Sequence, residues 1–141
     1  MTLTKDIAKP SDNRVTDVTN FTTTLKWIME LLELEEEDDY GILKPTEYAF
    51  QTAMQLVVEA YEFLGNRFPR SSNSSTDEAG GIILTWKNYD KTGKVMLFCP
   101  ASSEEAAFIY HKTPQQSAAA VDKEVSSSKL AYWLEGLVSK A

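Results

Sequence analysis

The sequence predicts an α+β fold of two N-terminal helices, a three-stranded antiparallel β-meander and a C-terminal helix. Three observations carry this. Apolar residues recur at helical spacing over 20–34 and 46–64. Three β-branched and aromatic runs, at 82–86, 94–99 and 107–111, are separated by turn residues. Leu130, Trp133, Leu134 and Leu137 then resume helical spacing. A chain of 141 residues, 43% of them hydrophobic and 25% charged, suits one globular domain.

Residues 1–19 are polar and aperiodic, and read as a flexible N-terminal arm preceding a single domain over 20–141. From Asn20, the residues Leu25, Ile28, Met29 and Leu32 follow the i, i+3, i+4, i+7 rule, and Trp27, Leu31 and Leu34 widen the stripe. Asn20 or one of Thr22, Thr23 and Thr24 suits the N-cap. Glu33, Glu35, Glu36, Glu37, Asp38 and Asp39 then place carboxylates at the negative end of the helix dipole, so the helix should stop there.

Pro45 disfavours helix at Lys44, Thr46 suits an N-cap, and Glu47 sits at the positive end of the next helix. Phe50, Ala53, Val57, Ala60, Tyr61 and Leu64 form its apolar face, and Gly65 marks its stop. Residues 69–81 read as a surface loop. The strands Ile82–Trp86, Lys94–Cys99 and Ala107–His111 follow, joined by turns at 88–93 and 102–105. The stretch 113–120 has no clear pattern, and Ser126 to Ser128 offer caps for the last helix.

Helix 46–64 is the natural cover for one face of the sheet, facing Ile82, Leu84 and Trp86. With the meander in register, Ile83, Met96, Phe98, Phe108 and Tyr110 line the other face. Two apolar faces require a second cover, either the terminal helix or a partner.

The net charge is −7, and it is uneven. Residues 1–40 carry four bases against ten acids, while the remainder is nearly balanced. General nucleic-acid binding is therefore disfavoured by charge repulsion. The single cysteine, Cys99, allows neither an internal disulfide nor a zinc framework. The polar start carries no signal-peptide core and no apolar run is long enough to span a bilayer, so a cytoplasmic protein without membrane attachment is expected.

The order Asp38-Asp39-Tyr40-Gly41, Lys44-Pro45-Thr46, a long amphipathic helix and the strand Gly80-Gly81-Ile82-Ile83-Leu84-Thr85-Trp86 resembles a widespread family of short bacterial proteins. In that family a Trp-Asp-Gly-type turn and a Pro-Ser/Thr helix start precede a Gly-Gly-Ile-x-Leu-x-Trp strand. The resemblance spans about residues 38–111 and departs at Asp38-Asp39-Tyr40, which lacks the Trp. It implies the fold and a bacterial setting, and carries over no catalytic residue.

His111 is the only histidine, so a neutral-pH general base would have to use it, with Cys99 on the neighbouring strand as nucleophile. No third orienting group or oxyanion loop accompanies the pair, and a strand-end surface histidine beside a small core cysteine explains both. The carboxylate run lacks the alternation and glycine of a calcium loop. It reads as a solvated helix end or a docking surface for a basic partner, with Glu35, Glu36, Glu37, Asp38 and Asp39 as candidate contacts. Gly80-Gly81 lacks the lysine and helix of a phosphate loop and reads as backbone freedom at a strand entry. Among the tryptophans, Trp133 is the candidate for exposure as an interface anchor.

No cofactor or metal is implied. The expected function is a non-catalytic interaction or regulatory module, immunity- or antitoxin-like, acting on a protein partner or through self-association as a homodimer. The alternatives are a small-ligand sensor with a pocket between helix 46–64 and the sheet, and an acidic nucleic-acid mimic.

Overall fold

The computed structural model describes residues 12–35, 37–38, 41–42, 44–88, 90 and 92–138. Helix α1 spans Asp12–Glu30 and tightens into a 3₁₀ turn, Leu31–Glu33. A short hairpin pairs β1 (Glu37–Asp38) with β2 (Gly41–Ile42). Helix α2 (Glu47–Leu64) leads through a 3₁₀ turn, Gly65–Arg67, into β3 (Ser71–Thr76). Strands β4 (Ile82–Lys87), β5 (Lys94–Cys99), β6 (Phe108–Lys112) and β7 (Ala120–Asp122) follow, and α3 (Ser127–Val138) closes the chain.

The α+β class is as expected, but the meander has five strands, in the order β3-β4-β5-β6-β7, and every neighbouring pair is antiparallel. The three expected strands are its centre. The segment 71–76, expected as loop, is an edge strand. It has no apolar alternation, and pairing with β4 holds it extended, with a register shift between Ser71 and Asn73. On the other edge, β7 is only three residues long. A polar, bulged edge and a short one both discourage edge-to-edge aggregation.

Helix α1 starts earlier than the expected Asn20, so eight residues of the proposed arm are helical; residues 1–11 lie outside the described residues. The expected caps are therefore helix-interior. Thr22 Oγ1 donates to the Val18 carbonyl at 2.8 Å and Asn20 Nδ2 to the Phe68 carbonyl at 3.2 Å. Thr24, which is buried, donates from Oγ1 to Ser71 Oγ at 2.9 Å and so fastens α1 to β3. Of the expected stripe, Ile28 and Leu31 are buried, whereas Met29 and Leu34 are exposed.

Helix α2 agrees with expectation. Thr46 Oγ1 accepts from the Ala49 amide at 3.1 Å, and Gly65 ends the helix at φ +53°, a conformation glycine takes without steric cost. Ala49, Ala53, Val57 and Ala60 are fully buried. Three alanines on the contact face let the helix lie close to the sheet, in contact with β4 and β5.

Helix α3 does not take the second face of the sheet. It packs against α2 and β5, and Leu130 and Leu134 join Val57, Leu84, Leu97 and Ile109 in one core. Helix α1 covers the β3 side of the same layer, where Phe21 stacks on Tyr61 at 4.1 Å and meets Phe68 edge-on. All three helices therefore cover one face, lined by Ile82, Leu84, Trp86, Val95, Leu97, Cys99 and Ile109, all at zero exposure.

Candidate interaction surface

Alternation and register together define what the other face of the sheet displays. Ile83 pairs with Phe98, and Phe98 with Phe108, so these three form one row with Ser75. Thr85, Met96, Tyr110 and Val121 pair in turn to form a second row. Lys87 opposite Lys94, and Lys94 opposite Lys112, form a third. The first two rows contain the five residues expected from the sequence on this face.

The central band is apolar and reachable. Ile83, Met96, Phe108 and Tyr110 are half-buried and Val121 is exposed. Phe98 is more enclosed, its ring 5.1 Å from that of Phe108. Among the described elements, none of the three helices packs on this band. A two-layer domain with one sheet face open ordinarily shows a polar open face, and this one is aromatic in its middle.

The lysine row is the second unusual feature. Like charges directly opposite each other across strands are destabilising, yet three lysines occupy one row. Among the described residues, no carboxylate lies within ion-pair distance of any of them. Lys94 Nζ instead lies 5.5 Å from the centre of the Tyr110 ring, and Lys112 Nζ donates to the Thr113 carbonyl at 3.3 Å. Sequence reading missed this row because each lysine looks like an ordinary strand end. Only the pairing of three strands brings them together.

The sequence candidates fare differently. Glu35 is exposed just past the 3₁₀ turn. Glu37 and Asp38 contribute backbone to β1, while the placement of their side chains, and of Glu36 and Asp39 entirely, lies outside the described residues. Trp133 is half-buried rather than exposed, and its neighbour Tyr132, 66% exposed, takes the outward position. The two are adjacent on a helix, about 100° apart, and the strand residue His111 decides which one turns inward.

Cys99 and His111 both face the helices but do not meet. His111 pairs with Val95, four residues from Cys99 on β5, which places them ~13 Å apart along the strand. Burial pushes the Cys99 thiol up to about 12, which keeps it protonated and non-nucleophilic. His111, expected at the surface, is instead buried under α3, and its Nδ1 lies 3.2 Å from Gln116 Oε1. Its ring stacks on Trp133, whose Nε1 donates to Asp122 Oδ2 at 3.0 Å. That hydrogen bond chiefly, with Lys129 and His111 nearby, holds the Asp122 carboxyl below its usual value.

The groove described outside the sheet face, of about 350 Å³, is lined by Trp27, Glu30 and Leu31 of the α1 end and Ser72 to Ser74 of β3. It lies beside α1 and β3, away from the space between α2 and the sheet where the small-ligand alternative places its pocket. No group of three or more His, Cys, Asp or Glu side chains among the described residues is placed to hold a metal ion. No helix among them is long and apolar enough to cross a membrane. No family model, curated protein or solved structure matches the chain.

Proposed function

We propose that the chain is a non-catalytic protein-interaction module, of the regulatory, immunity- or antitoxin-like kind, that works through the open face of its sheet. The observation supporting this most strongly is the one-sided placement of the helices. It leaves Ile83, Met96, Phe108, Tyr110 and Val121 in an apolar band beside three lysines without a carboxylate partner among the described residues. A half-buried apolar band with a charged margin has the composition of an interface, in which the apolar centre supplies binding energy and the margin supplies orientation. The protonated, enclosed thiol of Cys99 and the engaged ring of His111 fit a non-catalytic role.

The test compares capture by the wild-type chain with capture by Met96→Glu and Tyr110→Glu variants, using a lysate of the source cells. Both positions are half-exposed, so the variants should fold. Species held by the wild type and lost from both variants are expected. Capture that is indifferent to both substitutions would contradict the reading.

A further inference from the structure

The open face is charged oppositely at its two ends. The turns after β3 and β5 lie together at one end, because Ile82 pairs with Cys99 and Phe98 with Phe108. This end carries Asp77, Glu78, Glu104 and Glu105, the last three exposed. The other end carries Lys87, Lys94 and Lys112 on three adjacent strands, with Asp90, in the turn between the first two, the one described carboxylate beside them. Between them lies the apolar band, with Met96 and Tyr110 in its middle row. Among the described residues, neither Glu104 nor Glu105 forms an ion pair.

A surface that is basic at one end, apolar in the centre and acidic at the other is complementary to itself when turned end for end. A two-fold axis lying in the plane of the face, across the strands, performs that operation. It stacks β5 on β5 with the strand direction reversed. It places the apolar centres against each other and sets each lysine row over the acidic turns of the other copy. An axis along the strands would instead stack lysine on lysine. Closed two-fold assembly needs such self-complementarity, and face-to-face sheets ~10 Å apart are an established packing.

Resting on the reading of this face as a docking surface, we propose that its occupant is a second copy of the chain, packed sheet to sheet in this antiparallel two-fold arrangement. Lys94 and Lys112 of each copy meet Glu104 and Glu105 of the other. The contact offsets the like-charge cost of the lysine row and removes the aromatic band from water. The sheet itself measures only roughly 24 by 20 Å at ordinary strand spacing, about 1,000 Å² over both copies, below stable specific interfaces and in the range of transient ones. The dimer should therefore dissociate on dilution.

Sedimentation equilibrium of the full chain tests this. The mass is expected to move from 15.8 kDa toward twice that value with concentration, and the transition should shift to higher concentration as salt is raised. The double variant Lys94→Glu/Lys112→Glu and the double variant Glu104→Lys/Glu105→Lys should each dimerise at least about tenfold more weakly. An equimolar mixture of the two should recover dimer, because both ends of the mixed pair are again complementary. Misfolding cannot produce that recovery, and circular dichroism of each variant checks the fold separately. A wild type that stays monomeric throughout, or variants whose mixture stays monomeric, would overturn the proposal. If the wild type is monomeric while capture still depends on Met96 and Tyr110, only the second copy is lost. If capture is also indifferent, the docking reading falls with it.

Discussion

The imidazole of His111 lies flat on the indole of Trp133, ring centroids 3.5 Å apart and planes 10° from parallel. One ring comes from β6 and the other from α3, so this contact fastens the last helix to the β6 side of the sheet. It also keeps α3 on the face already covered by α2. Trp133→Ala should therefore destabilise the fold by about 2–3 kcal/mol in urea unfolding, somewhat below the range for fully buried tryptophans. Trp133→Phe keeps a ring over His111 but gives up the indole N–H, and should cost about 1 kcal/mol.

Asp122 titrates with that contact. Its folded pKa is lowered, chiefly by the Trp133 hydrogen bond, so its contribution is fully present above the unfolded value of ~3.9. The contribution fades as pH falls through the folded value. The stability advantage of wild type over Asp122→Asn should be level between pH 5 and 7, as an approximate window, and shrink as the pH is lowered below ~4. A constant gap down to the acid transition would contradict this assignment.

Thr46 joins three segments. Its hydroxyl accepts from the Ala49 amide and donates to the Ala101 carbonyl at 2.7 Å, and its own amide donates to Gly80 at 2.9 Å. Thr46→Ala should cost about 2 kcal/mol, the sum of a lost cap and a lost tertiary hydrogen bond. Thr46→Ser should recover most of it, because the hydroxyl rather than the methyl makes both contacts.

These elements differ in how far the sequence announces them. Thr46 and Gly65 bracket α2 with local chemistry, and the near-continuous apolar runs Ile82–Trp86 and Lys94–Cys99, read at the strand period of two, place apolar residues on both faces of the central strands. The start of α1 is not announced, because Asp12 to Thr19 has no apolar rhythm. Nor is β3, whose Ser71-Ser72-Asn73-Ser74-Ser75-Thr76 becomes a strand only by pairing with β4 and bonding to Thr24. The side taken by α3, and with it the inward turn of Trp133 over Tyr132, depends on His111 and Asp122, which are distant in sequence. The apolar open face was legible residue by residue. Its lysine margin was not, because it exists only across three paired strands.

Cys99 should behave as an inert core thiol. Its pKa, raised to about 12 by burial, leaves almost no thiolate near neutrality. Iodoacetamide at mildly alkaline pH should leave the folded chain unmodified and label it rapidly in urea. Stoichiometric labelling of the folded chain at the unfolded rate would show that the strand opens far more readily than its packing implies.

A photocrosslinking amino acid placed at Tyr110, in the middle row of the open face, reports whether anything docks there. The control position is Phe63, which is 59% exposed on α2 within the helical layer. Irradiation of the purified chain should give a crosslinked dimer from position 110 and little from position 63. A position 110 that gives no adduct, either in the purified protein or in the source-cell lysate, would mean that nothing docks on the open face and would contradict its role as an interaction surface.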